Sequence, residues 1–151
     1  MHQNKQKIHT PVLLREVLEY LNPQPGETYL DLTAGYGGHA QVIQAHTNGW
    51  PVTLVDRDQM AVAYLQQHFS EAKSEIIWQD FLTAGQHLVD NHRQFDMILA
   101  DLGVSSPHLN IASRGFAIIH DGPLDMRMDQ RQELTAETIV NTYDEAALTM
   151  I

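Results

Sequence analysis

Hydrophobic positions along this chain recur at two spacings, and the spacing switches repeatedly. Leu14, Val17, Leu18 and Leu21 follow the i, i+3, i+4, i+7 rule of a single helix face. Thr10-Pro11 supplies a cap and a first-turn proline ahead of them, and Asn22-Pro23 ends the run. Four short extended runs come next, at Thr28–Leu30, Val52–Val55, Glu75–Trp78 and Phe95–Ala100. Helical patterns separate them, near His39–His46, Gln59–Phe69 and Ala84–His92. Strand alternating with helix predicts βαβ units and an α/β fold with a doubly wound parallel sheet.

Each extended run leads into an aspartate: Asp31, Asp56, Asp80 and Asp101. In an open parallel sheet, ligands bind beyond the carboxyl ends of the strands, so four carboxylates are expected along one rim. The stretch DLTAGYGGHA, residues 31–40, adds a glycine turn there. Gly35, Gly37 and Ala40 fit the G-x-G-x-x-G/A dinucleotide pattern, and Asp56 stands where that pattern places a ribose-binding acid. A pyrophosphate, however, prefers a helix N-terminus free of carboxylates. An acidic rim suits a cationic ligand with a ribose better, and S-adenosylmethionine carries both features. An NAD(P)-dependent oxidoreductase and a non-catalytic Rossmann-like binding fragment stay open as alternatives on the glycine pattern alone.

Composition narrows the field. With 151 residues, 43% of them hydrophobic, the chain is long enough for one real core. It has no cysteine, which removes disulfides, thiolate metal sites and a cysteine nucleophile, and suits a reducing cytoplasm. The net charge of −10 argues against broad electrostatic attraction to nucleic acid. Lys5 and Lys7 precede an apolar patch, but Arg15 and Glu16 interrupt it too early for a leader or a membrane span. No metal site is expected, since His87 and His92 are spaced off a common helix face. Arg114, Arg127 and Arg131 could meet phosphate, yet Asp121, Asp125, Asp129 and Glu133 lie among them, as in a solvated mixed-charge loop.

Six segments in order, HTPVLL, DLTAGYGGH, LVDRD, DLGVSSP, RGF and DGPLDMRMD, resemble the bacterial 16S rRNA (cytosine-N4)-methyltransferases of the RsmH/MraW family. The resemblance runs from His9 to about Tyr143, and DLGVSSP with DGPLDMRMD carries most of its specificity. It implies a class I, Rossmann-like methyltransferase with S-adenosylmethionine as donor. The implied substrate is a cytidine of 16S rRNA in the small ribosomal subunit. Position by position, the family's cofactor contacts fall on Gly37, Gly38, His39, Asp56, Phe81 and Asp101, joined here by Asp31, Gly35 and Asp80 of the rim. One further contact, glutamine in the family, is His108 in this chain. Asn110 and Ile111 stand where the family usually has an acidic pair. Asp101 and Ser105 of DLGVSSP are the candidate catalytic groups, as acceptors for the amine.

The expected organisation is a helical segment over 1–25, a donor-binding half over 26–107, and a substrate loop with the start of a helical domain over 108–151. A class I sheet has seven strands and the pattern shows four, so the chain reads as truncated. Thr142-Tyr-Asp-Glu145 reads as a capping box opening a last helix, with Ala146–Ile151 as its apolar beginning. The fourth strand would then be an exposed edge. A chain of this kind is expected to bind the donor weakly, to lack rRNA methylation, and to be marginally stable or to self-associate, at simplest as a homodimer.

Overall fold

The computed structural model describes residues 11–151. Thr10, expected as a cap, lies outside them. The chain forms two compact units that divide between Gly103 and Val104.

In the first unit, α1 (Leu14–Leu21) is followed by four strands, β1 (Tyr29–Asp31), β2 (Val52–Asp56), β3 (Ser74–Trp78) and β4 (Met97–Leu99). Between them run α2 (Gly38–His46), α3 (Gln59–His68) and α4 (Phe81–Asp90). The strands are parallel in the order β3-β2-β1-β4. Tyr29 lies opposite Val52 on one side and Met97 on the other. The chain therefore builds the sheet outward from β1 in one direction, then returns to place β4 on its other side. Successive side chains of a strand face opposite ways. Tyr29, Val52, Leu54 and Met97 accordingly join Ile43, Leu65 and Phe69 on one face, where Val17, Leu18 and Leu21 of α1 also pack. Leu30 and Val55 join Ala84 and Leu88 of α4 on the other. This is the doubly wound sheet that the periodicity predicts.

Three differences from the expected boundaries have clear local causes. Leu13 adopts a left-handed conformation at φ 52°, so Pro11 precedes α1 instead of opening it. α4 begins at Phe81, three residues early, because Asp80 caps it and accepts the Thr83 N–H at 2.9 Å. β4 is shorter than its apolar run. Asp96 is tied across to Thr28, accepting that residue's N–H at 2.8 Å and its hydroxyl at 2.7 Å, before the ladder begins.

The second unit holds α5 (Ser106–Asn110), a 3₁₀ turn at Ala112–Arg114, α6 (Ala136–Thr142) and α7 (Glu145–Thr149). The expected capping box at Thr142 is not formed. Thr142 ends α6, with its hydroxyl donating to the Thr138 carbonyl, and Asp144 caps α7 by accepting the Ala147 N–H at 2.8 Å. Among the described residues, no helix is long and apolar enough to cross a membrane.

Candidate functional site

The order of strands puts the switch point between β1 and β4, and the segments leaving both strands are joined there. Beyond Asp31 the ladder continues into the loop: Leu32 N–H donates to the Leu99 carbonyl and Ala34 N–H to the Val55 carbonyl, each at 2.9 Å. The Thr33 hydroxyl accepts the Asp101 N–H at 2.7 Å, fixing the segment after β4 against the segment after β1. Gly35 then turns at φ 53°, and its N–H donates to Asp56 Oδ2 at 2.7 Å. Asp56 Oδ1 accepts the Asp58 N–H at 2.8 Å, and buried Asp58 in turn caps α3. The predicted pair of Gly35 and Asp56 is therefore in direct contact. Thr33 is a site residue that the sequence reading missed. Its signal was weak, since a threonine after a strand is ordinary turn composition.

Asp31 does not face outward with its neighbours. It is 2% exposed and lies within the fold, where Oδ2 accepts the Tyr29 hydroxyl at 2.9 Å and Oδ1 the Thr33 N–H at 3.2 Å. Burial raises its carboxyl from 3.8 to about 6, against the lowering effects of those bonds and of His39. The same burial, with Asp31 beside it, pushes the Tyr29 phenol upward. A carboxyl that holds its proton more tightly when folded lowers stability once it is charged, and the penalty is relieved as pH falls through about 6 toward 3.8. Asp80, Asp96 and Asp125 are shifted downward and act with the opposite sign. The wild type should therefore gain about 2 kcal/mol on Asp31→Asn between roughly pH 7.5 and 4.5, the other carboxyls being common to both proteins. Urea denaturation at the two pH values measures this, and a constant difference would show that Asp31 titrates normally.

His39 is buried in the first turn of α2. Its Nε2 lies 2.9 Å from the Val12 carbonyl and its Nδ1 4.0 Å from Asp101 Oδ2. The Asp101 side chain is 44% exposed. The buried Tyr29–Asp31 pair, His39 and the exposed Asp101 thus form a graded series from core to rim.

The glycines of the loop have different causes. A Cβ on Gly35 would meet only the Thr33 carbonyl oxygen, at an ordinary contact distance of 3.9 Å, so this is the position where a ligand could approach the main chain. Gly37, at φ 73°, is filled from inside: a Cβ there would collide with the Phe69 ring and stand 3.0 Å from Leu65 Cδ2. Gly38 makes room for Pro11, whose Cγ would be 2.7 Å from its Cβ. Packing accounts for both of the latter. Asp80 also has a local cause, since Thr83 donates to it from both N–H and hydroxyl. Phe81, 44% exposed, opens α4 beside it.

Ser105 and His108 belong to the second unit and lie together. The Ser105 N–H donates to His108 Nδ1 at 3.1 Å, with the Ser105 hydroxyl 2.9 Å from the same nitrogen and the ring against Phe116. Histidine here does what a glutamine does in a capping box, accepting the cap residue's N–H. The RGF and DGPLDMRMD segments are clamped to each other. Buried Arg114 donates through Nη2 to the carbonyls of Arg127 and Met128, and its own carbonyl accepts the Met126 N–H at 3.1 Å. Arg127 grips Asp125 with two nitrogens and holds its carboxyl down at about 2, while Arg131 grips Asp129 in the same way. The three arginines that composition offered to phosphate are therefore engaged within the loop. Nothing in the structure explains Asn110 or Ile111. Among the described residues, no three acidic or histidine side chains gather as a metal cage.

An open parallel sheet wound on both faces, with a glycine turn and carboxylates at its switch point, defines a Rossmann-like domain. The model of the MraW methylase family matches residues 6–151, and the chain belongs to that family. Three relatives are described as ribosomal RNA small subunit methyltransferase H. The protein from Rippkaea orientalis is 42% identical over 147 residues, 96% of this chain and 47% of the relative. That from Rickettsia massiliae is 44% identical over 143 residues, 93% of this chain and 45% of the relative. That from Mycoplasma mycoides is 42% identical over 148 residues, 95% of this chain and 48% of the relative. The chain spans about half the length of the curated relatives it matches.

Proposed function

We propose that this chain is the donor-binding portion of an S-adenosylmethionine-dependent methyltransferase that modifies N4 of a cytidine in 16S rRNA of the small ribosomal subunit. The observation that carries the reading is the contact between the Gly35 amide and Asp56, which sets an open glycine turn against a carboxylate at the end of the neighbouring strand. Carboxylate oxygens accept more than one hydrogen bond each, and a ribose diol is the kind of donor pair that a carboxylate at this strand end binds. The names of the relatives supply the substrate class. DLGVSSP and the match to the family supply the case for an amine acceptor.

When bound, the donor would supply an electrophilic methyl group on a positively charged sulfur. Asp56 would hold the ribose, and the turn at Gly35–His39 would bring main chain up to the ligand. The N4 amine of cytosine is a weak nucleophile because its lone pair is delocalised into the ring. A carboxylate that accepts a hydrogen bond from N4–H raises its electron density and fixes its approach. Asp101, at the switch point and half exposed, is the residue for that task. A cytidine paired within folded RNA would have to be turned out of its stack to reach it.

Asp56→Ala should weaken S-adenosylhomocysteine binding by about 1.5–3 kcal/mol, as for hydrogen bonds to a charged group. Calorimetry checks this, with Asp56→Asn retaining one acceptor for the Gly35 amide as the control for loop integrity. Unchanged affinity in the alanine variant would remove Asp56 from the site. The reading as a whole is tested by methyl transfer from labelled donor to small-subunit particles that lack the modification. A thermal shift with NAD but not with S-adenosylhomocysteine would replace it with the oxidoreductase alternative.

A further inference from the structure

A methyl group cannot be added to an amine without a proton leaving it, and the crevice holds a second group suited to that proton. We propose that His39 is a positioning residue for the transfer, acting through Asp101 to hold the proton that Asp101 takes from the acceptor amine. This rests on the methyltransferase reading above.

The tautomer is decided by a main-chain atom. A carbonyl oxygen only accepts, so the Val12 carbonyl at 2.9 Å requires the hydrogen on His39 Nε2. A neutral His39 therefore presents a bare Nδ1, and that nitrogen is the one 4.0 Å from Asp101 Oδ2. The ring is buried while Asp101 is exposed, so a proton collected at the rim has a sheltered place to go. The titratable groups on the strands behind α2 are Tyr29 and Asp31 of β1 and Asp56 of β2, and His39 and Asp31 interact electrostatically. The gap of 4.0 Å is long for a hydrogen bond. Catalytic contacts of this kind commonly tighten only when the ligands are in place.

The step balances. As the nitrogen–methyl bond forms and the methyl–sulfur bond breaks, the bonding pair stays on sulfur and the positive charge passes to the cytosine base. N4 then gives a proton to the Asp101 carboxylate. Transfer onward to His39 Nδ1 restores the carboxylate, and the imidazolium releases its proton to solvent before the next turnover.

The test uses His39→Asn and His39→Gln in the intact protein, since both amides can still donate to the Val12 carbonyl but neither can take up a proton. Calorimetry with S-adenosylhomocysteine gives each variant's donor affinity, so that methyl transfer can be compared at saturating donor. Single-turnover methyl transfer to unmodified small-subunit particles is expected to fall by at least about tenfold, less than the hundredfold or more of a directly acting proton acceptor because His39 works through Asp101. A rate equal to wild type overturns the proposal, and so does a loss of rate that saturating donor abolishes, which would mark His39 as a donor contact or a support of the loop alone. The imidazole ¹⁵N NMR spectrum of the unmutated protein gives a reading independent of turnover and of variant folding. It should show the proton on Nε2 with Nδ1 bare, and the reverse tautomer overturns the assignment. A wild type that binds no S-adenosylhomocysteine would instead overturn the underlying methyltransferase reading, and the proposal with it.

Discussion

Asp101→Ala in the intact protein is expected to slow methyl transfer by about a hundredfold or more, the scale of a lost acid–base group. Donor binding should fall far less. The two effects separate because the main chain and side chain of this residue have different tasks. Its N–H is secured by the Thr33 hydroxyl at 2.7 Å, a contact that alanine preserves, so the join between the segments after β1 and β4 should persist. The carboxylate is the part that reaches the rim, within 4.0 Å of His39. Single-turnover rates at saturating donor, set beside calorimetric affinities, measure the two separately. A variant that transfers methyl at the wild-type rate would reduce Asp101 to a turn residue.

The largest expected effect on stability lies in the second unit, at Gly115. This residue has φ 78°, and a Cβ would stand 2.5 Å from the Pro123 carbonyl oxygen and 2.7 Å from the Asp125 nitrogen. Main-chain atoms cannot swing aside as side chains do. Gly122 faces the same seam from the opposite strand of the loop, where a Cβ would collide with the Ala112 carbonyl. Gly115→Ala should therefore destabilise this unit by about 3 kcal/mol, combining a left-handed conformation with overpacking. The loss should appear as faster amide exchange at Met126, whose N–H is bonded to the Arg114 carbonyl. Unaltered protection at that amide would show that the seam relaxes around the added methyl group.

That seam also marks where sequence reading reached its limit. The strands and the helices between them were legible because each buries one face against the sheet and so carries a period of 2 or 3.6. The pairing of Gly35 with Asp56 was legible because a glycine turn and an acid at the next strand end form a known spacing. Gly37 and Gly115 look no different from Gly35 in sequence, yet each is glycine because of a distant contact, with Phe69 or with Pro123. Asp80 read as part of the rim because it follows a strand, while the hydrogen bonds to Thr83 make it a helix cap. α6 escaped notice since Ile139 and Val140 are its sole large apolar positions in seven residues, too few to establish a period. The arginines Arg114, Arg127 and Arg131 showed their charge but not their partners. Four of those partners are main-chain carbonyls, of Arg127, Met128, Gln130 and Gln132, which no residue pattern reveals.

The ladder that continues past Asp31 has a thermodynamic consequence. Leu32 and Ala34 are bonded to β4 and β2 as firmly as the strand itself, so the first half of the glycine loop surrenders its backbone freedom when the chain folds. Ordering a residue costs about 1–2 kcal/mol of entropy, and a ligand arriving at this frame meets residues already ordered. Affinity for small ligands is thereby coupled to the integrity of the sheet. A substitution that loosens β1 should weaken binding even where it touches no ligand atom, and a tightly held ligand should protect the amides of β1 from exchange more than those of the edge strand β3.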